Sequence, residues 1–231
     1  MNWFDVNILL FLNQFAHHSP AFDWMITRAY STNLNGCIVI AIACAALFDP
    51  KRPSQLCERS ELLLGATLLS APATLVARAL ALSLPFRLRP LWNPALHFQT
   101  PYGGGSLVLL NWSAFPSDHA TLFLALVTGI FFVSRRLGLI ALLWTLVTIT
   151  FPALYLGVHW PTDVIAGACL GVGVAFIAKV PQFRNAVEHV TMKWHQQHPG
   201  LFFAILFVWS YETASLFEDG RRLLRGLWHL V

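Results

Sequence analysis

Apolar stretches close to membrane-spanning length alternate along the chain with short hydrophilic breaks. The first covers about Asn33 to Phe48 and ends at Asp49-Pro50-Lys51-Arg52-Pro53, and the second runs from about Glu61 to Leu84. A third, Ser117 to Val133, stops at Ser134-Arg135-Arg136; a fourth covers Leu137 to Leu156 and a fifth Thr162 to Ala178. Leu201 to about Phe217 is a sixth, with Glu212 inside it. A helix crosses a bilayer with about 20 apolar residues, so each run is read as a span. Asn2 to Ser31 mixes polar and apolar positions, and its run from Ile8 to Phe15 is too short to cross. That pattern predicts an interfacial amphipathic helix broken at Ser19-Pro20 and followed by a second short helix. Pro85 to Pro116, carrying Trp92, Phe98, Tyr102 and Trp112, reads as a connection lying along the membrane surface. Gly167 and Gly171 form a small face for close helix packing. The expected fold is an all-α polytopic membrane helix bundle of about six transmembrane helices, with residues 1–231 as one domain.

Composition supports the lipid solvent. Of the 231 residues, 56% are hydrophobic and 11% charged, and mean hydropathy is +0.59; a soluble domain carries about 25% charged residues. The net charge of +4 resides mainly in the hydrophilic breaks, a topological pattern rather than a nucleic-acid surface. Cys37, Cys44, Cys57 and Cys169 lack metal or redox spacing and read as free thiols. No cleavable signal peptide is visible at the N-terminus. His17 and His18, without a carboxylate or cysteine partner, read as interfacial polar residues.

Lys51, Arg52, Arg59, Arg135, Arg136, Lys179, Arg184 and Lys193 fall on one side of the predicted bundle, the cytoplasmic side by the positive-inside rule. The opposite face receives Pro116-Ser117-Asp118-His119 and His159-Trp160-Pro161-Thr162-Asp163. Arg221, Arg222 and Arg225 fit this rule less well, and a C-terminal segment lying on the membrane surface would remove the conflict. Ser117 is a natural N-cap for the helix that follows. The first N–H groups of that helix, with its dipole, favour an anion beside His119. Asp163, four residues after His159, can reach back to one imidazole nitrogen and leave the other nucleophilic. One imidazole to attack and one to protonate a leaving group suits phosphoryl transfer. Arg87 and Arg89 lie just beyond the second run on the same face, and Arg78 lies farther back; a bound anion is a good reason for arginines there, with lipid headgroup contact as the alternative. The spans from Ile38 to Leu47 and Leu122 to Phe132 offer little ionisable chemistry for a channel or transporter.

These residues resemble the type 2 phosphatidic acid phosphatase superfamily, integral membrane lipid phosphatases related to vanadium haloperoxidases. The family pattern is KxxxxxxRP, PSGH and SRxxxxxHxxxD. Here it appears as Arg89-Pro90, Pro116-Ser117-Asp118-His119, and His159 with Asp163, in a core from about residue 78 to 171. The resemblance implies that His159 attacks phosphorus, Asp163 orients it, and His119 protonates the leaving oxygen and later assists water. Ser117, Arg89 and backbone N–H groups would hold the phosphate, with Asp118, Arg78 and Arg87 as further substrate-binding candidates. It also implies no cofactor and no metal.

Three positions depart from the pattern. Leu82 occupies the lysine position, with Arg78 four residues earlier as a substitute; Asp118 replaces glycine; and Pro152-Ala153 replaces the Ser-Arg pair. The implied function is hydrolysis of a lipid phosphate or diphosphate, of the polyprenyl (undecaprenyl) diphosphate or phosphatidylglycerol phosphate type. By the same resemblance the reaction would pass through a phosphohistidine at the extracytoplasmic face of the cell (inner) membrane. A lipid-phosphate phosphotransferase and a catalytically degenerate lipid-binding relative remain alternatives. The expected partners are a membrane lipid phosphate and the bilayer, without nucleic acid.

Overall fold

The protein is seen here in a computed structural model that describes residues 2–47, 56–104 and 111–228. The hydrophilic stretch from Asp49 to Pro53 lies outside the described residues. The helices are α1 (Trp3–Asn13), α2 (Pro20–Ser31), α3 (Leu34–Leu47), α4 (Leu56–Ser83), α5 (Asp118–Val133), α6 (Arg135–Thr145), α7 (Phe151–Tyr155), α8 (Pro161–Phe176), α9 (Pro181–Gln197), α10 (Pro199–Ala214) and α11 (Glu218–Trp228). The described residues contain no strand, and the fold is the expected all-α membrane bundle.

The spans differ in detail from the hydropathy pattern. Glu61–Ser83, Arg135–Tyr155 and Pro161–Lys179 are each long and apolar enough to cross a bilayer. Among the described residues, a fourth crossing arises only if α2 and α3, bent by 60° at their junction, act as one broken span. The second short N-terminal helix is thus joined to the first apolar run rather than separate from it. Helices α5 and α10, at 16 residues each, extend only ~24 Å, short of a ~30 Å hydrocarbon core.

Helix α5 is short but central. Ten of its positions are buried, on every side of the helix, as an all-round apolar helix requires. Its Leu122, Leu126, Val127 and Ile130 pack with Val39 and Ala43 of α3, Leu63 of α4 and Ala141 of α6. The outer helices turn apolar side chains outward instead: Leu143 is 61% exposed, Val147 62% and Phe207 73%. Such a surface is an aggregation liability in water and fits lipid.

Two local features bend the bundle around its site. A π-turn at Leu146–Thr150 joins α6 to α7 just before Pro152, which has no N–H to return to the carbonyl of Thr148. Asn35 Nδ2 reaches that carbonyl at 3.5 Å and the Ala29 carbonyl at 2.6 Å, so one side chain serves both the π-turn and the α2–α3 bend. The N-terminal helices are not merely interfacial. Asp5, Leu9 and Asn13 of α1 are buried at successive turns. Asn13 exchanges two hydrogen bonds with the backbone of Gln99. Asp23 of α2 accepts from Tyr155 Oη at 2.5 Å and from the N–H groups of Tyr102 and His17. His17 also packs its ring against Tyr102. Cys37, Cys44 and Cys169 are free; the side chain of Cys57 lies outside the description.

The packing of α5 on α8 depends on missing side chains. A Cβ at Gly167 would sit 2.3 Å from the Ser117 carbonyl oxygen, and one at Gly171 2.1 Å from that of Thr121. Gly173, two residues on, has nothing within 4 Å. Gly171→Ala therefore forces the helices apart and should lower the thermal midpoint in detergent, by an overpacking cost of about 1–3 kcal/mol. Gly173→Ala should leave the midpoint unchanged or raise it, through helix propensity alone. Equal effects at the two positions would contradict the packing account.

Candidate active site

The α5–α8 seam sets the two histidine segments side by side. Ser117 N–H donates to the Asp163 carbonyl oxygen at 3.1 Å, joining the start of one helix to the first turn of the other. A third segment closes the site from the connection after α4. There Leu91 N–H donates to the Gly157 carbonyl at 2.9 Å, and Ala114 N–H to the Arg87 carbonyl at 2.8 Å. Gly157 adopts φ +66°, and a Cβ there would meet the Phe98 ring at 2.7 Å, so only glycine suits this turn.

His159 is 2% exposed, and its Nδ1 lies 2.8 Å from the Ala114 carbonyl oxygen. A carbonyl only accepts, so Nδ1 carries the proton and Nε2 presents its lone pair. Burial, and next the positive charge of Arg89, push the His159 pKa from 6.5 down to about 3. The imidazole is neutral, as a nucleophile must be.

Asp163 is not where the helix spacing places it. Its Oδ2 is 3.9 Å from His159 Nδ1, beyond hydrogen-bond reach. It accepts instead from Trp160 N–H at 2.8 Å and pairs with Arg87. The tight turn from Gly157 to Trp160 brings His159 against the backbone at Ala114, and that carbonyl takes the orienting role. Asp163 fixes the turn that carries His159.

Arg87 is likewise committed elsewhere. It pairs with Asp163 and with Asp5 of α1 at 2.6 Å, and donates to Thr162 Oγ1 at 2.9 Å. It does not line the cavity. Asp5, fully buried, also accepts from Thr162 N–H and Oγ1 at 2.9 and 2.7 Å. Sequence reasoning missed Asp5; the signal available was its spacing with Leu9 and Asn13 on one helical face. Ser117 caps α5 by accepting from Ala120 N–H at 3.3 Å and is not among the residues that line the cavity.

The remaining candidates meet in one cavity of about 740 Å³, lined at this end by Arg78, Arg89, Trp112, Asp118, His119 and His159. Arg89 Nη1 lies 3.4 Å from His159 Nε2 and donates to the Val158 carbonyl at 2.7 Å; Nε reaches the Trp112 carbonyl at 3.2 Å. Burial lowers the Arg89 pKa from its ordinary value. Asp118 pairs with Arg78, and its other oxygen is 3.3 Å from His119 Nδ1. The glycine-to-aspartate change thus places an orienting carboxylate behind His119. Arg78 also lies 4.4 Å over the Trp112 ring. Its Nε is buried without a hydrogen-bond partner among the described residues, a donor that an anion would satisfy. Ligating atoms of Asp118, His119 and His159 all fall within 4.8 Å of one another, near enough to hold a metal. Two adjacent arginines favour an anion there instead. Ala153 is buried, and its carbonyl accepts from the N–H groups of Val158 and His159. That position shapes the loop and lends no side chain to the cavity.

A family model described as the PAP2 superfamily matches residues 60–186, more than half of the chain, which belongs to that superfamily. Lipid A 1-diphosphate synthase of Escherichia coli (strain K12) is 25% identical over 185 residues, covering 77% of this chain and 76% of that protein. No solved structure gives a significant match. The chain is thus a membrane protein of the phosphatase type.

Neutral burial of His159 has a measurable consequence. The unfolded imidazole takes a proton near pH 6.5 and the folded one only near pH 3, so between these values the unfolded state binds more protons. Stability then rises with pH across this window and is lost on acidification, by up to about 1.4 kcal/mol per unit. His159→Gln should show a shallower decline of thermal midpoint from pH 6.5 to 4 than the wild type. Parallel declines would contradict the buried neutral imidazole.

Proposed function

We propose that this protein hydrolyses a lipid phosphate or diphosphate, of the polyprenyl diphosphate or phosphatidylglycerol phosphate type, through a phosphohistidine on His159. The observation that carries this reading is the setting of His159: its Nδ1 is held at 2.8 Å by the Ala114 carbonyl, its Nε2 lies 3.4 Å from Arg89 Nη1, and its side chain lines a cavity shared with Arg78, Arg89 and His119. Nε2 attacks phosphorus, the bond from phosphorus to the leaving oxygen breaks, and His119 gives that oxygen its proton. Water then attacks the phosphohistidine and passes a proton to His119. The P–N bond breaks, and orthophosphate leaves with His159 restored. Arg78 and Arg89 stabilise the charge that develops on the phosphoryl oxygens. They supply cations without a lysine at Leu82 or an arginine at Ala153.

The active site faces the extracytoplasmic side of the cell (inner) membrane. Arg135 and Arg136 support this orientation, because they begin α6 at the end of α5 remote from His119. The name of the Escherichia coli relative describes formation of a diphosphate on lipid A, so phosphoryl transfer to a second lipid is the alternative fate of the phosphohistidine.

Orthophosphate release from a panel of lipid phosphates and diphosphates tests the reading. His159→Ala should abolish release, His119→Ala should lower it by about 10²–10⁴-fold, and vanadate should inhibit the wild type. Label recovered on an added acceptor lipid would mark a transferase. Lipid binding with no release of either kind would mark a degenerate binder, and release that survives His159→Ala would overturn the mechanism.

A further inference from the structure

Tyr30, in the last turn of α2, lines the cavity together with Arg78, Arg89, Asp118, His119 and His159. Its ring centroid is 5.5 Å from that of His119, with the two planes tilted by 36°. The same ring, partly buried, packs against the cluster of Ile26, Tyr155, Leu156 and Val158, and Val158 immediately precedes His159. The backbone that carries Tyr30 is tied down from two directions. Thr27 Oγ1 donates to the Tyr102 carbonyl at 3.1 Å, and Asn35 Nδ2 donates to the Ala29 carbonyl at 2.6 Å. The bend between α2 and α3 thus holds this phenol against the general acid.

The hydroxyls on the cavity wall differ in what they are already bonded to. Ser31 Oγ donates to the Thr27 carbonyl at 2.7 Å, Thr148 Oγ1 to that of Trp144 at 2.9 Å, and Ser215 Oγ to that of Glu212 at 3.1 Å. Thr32 Oγ1 accepts from Leu34 N–H at 3.2 Å. Tyr30 Oη has no hydrogen-bond partner among the described residues, whereas Tyr155 Oη, in the same cluster, donates to Asp23 at 2.5 Å. A tyrosine hydroxyl withdrawn from bulk water usually finds a partner, so the cavity's ligand is the partner left for this one.

We propose that Tyr30 is a further catalytic residue, whose hydroxyl donates a hydrogen bond to a phosphoryl oxygen of the substrate as negative charge builds there in the transition state. This deepens the hydrolase reading and rests on it for the reaction, but the residue and its contact are separate from the histidines and arginines. A phenol keeps its proton near neutral pH, so Tyr30 acts as a donor throughout, and the leaving oxygen still takes its proton from His119. A fixed neutral donor gains strength as the oxygen it meets becomes more negative, which favours the transition state over the ground state. It adds to Arg78 and Arg89 in a site where Ala153 lends no side chain to the cavity.

Tyr30→Phe removes the hydroxyl and keeps the ring, so it isolates the contact. The test is the affinity of the full chain in detergent for orthovanadate, which mimics five-coordinate phosphorus, and for orthophosphate, beside kcat, KM and the pH profile on a lipid phosphate. With no protein hydrogen bond to lose, Tyr30→Phe should leave the thermal midpoint of the ligand-free protein unchanged. It should weaken vanadate binding at least about tenfold and orthophosphate binding less than about twofold, and lower kcat at least about tenfold with KM within about twofold. The pH profile should keep its shape, and Tyr102→Phe, at a tyrosine that does not line the cavity, should change none of these. Equal vanadate affinity and kcat in Tyr30→Phe and wild type overturn the inference. So does a lowered midpoint, or a kcat loss with a displaced basic limb, the sign of an effect passed through His119. Selective loss of vanadate binding in a protein that turns over no lipid leaves the contact standing and overturns the hydrolase reading instead. Turnover abolished by His159→Ala but untouched by Tyr30→Phe does the reverse.

Discussion

The site depends on the glycine seam between α5 and α8. With Gly167 against the Ser117 carbonyl and Gly171 against that of Thr121, the two helices meet backbone to backbone. His119 belongs to the first turn of one helix and His159 to the loop entering the other. In lipid there is little hydrophobic drive to press helices together, so close approach of small residues supplies the contact. A side chain at either glycine would separate the two imidazoles as well as the helices.

Around this seam the charges divide into two layers. The inner layer is structural: Asp5, Arg87, Thr162 and Asp163 bond to one another and hold α1, the connection after α4 and the start of α8 together. Removing one partner would leave another charge buried, a costly state. The outer layer, Arg78, Arg89, Asp118 and His119, faces the cavity. The split relates the changed family pattern to the geometry around it. Asp118, in place of glycine, holds both Arg78 and His119, and Arg78 stands one turn from the lysine position.

Much of this was legible in the sequence. Apolar runs and motif order gave the helical bundle, the pairing of His119 with His159, and Arg78 and Arg89 as cavity residues. Three features were not legible, each for a definite reason. The partner of His159 is a main-chain carbonyl, which no side-chain pattern reports. The i, i+4 spacing of His159 and Asp163 implies contact only within a helix, and the chain turns at Gly157 and enters α8 only at Pro161. The burial of Asp5 arises from a tertiary contact more than 150 residues away in sequence, while its own helix reads as interfacial. Glu212 shows the reverse: an acid that weakens the hydropathy signal of the last run proves to hold the start of α11.

The central claim is that His159 becomes covalently phosphorylated, and the most direct measurement is a rapid acid-free quench of the protein with ³²P-labelled lipid phosphate. The account predicts protein-bound label that is stable in alkali, released by acid, located by mass spectrometry on Nε2 of His159, and lost in His159→Gln. Turnover of the same lipid with no label on His159, or label on another residue, would contradict it.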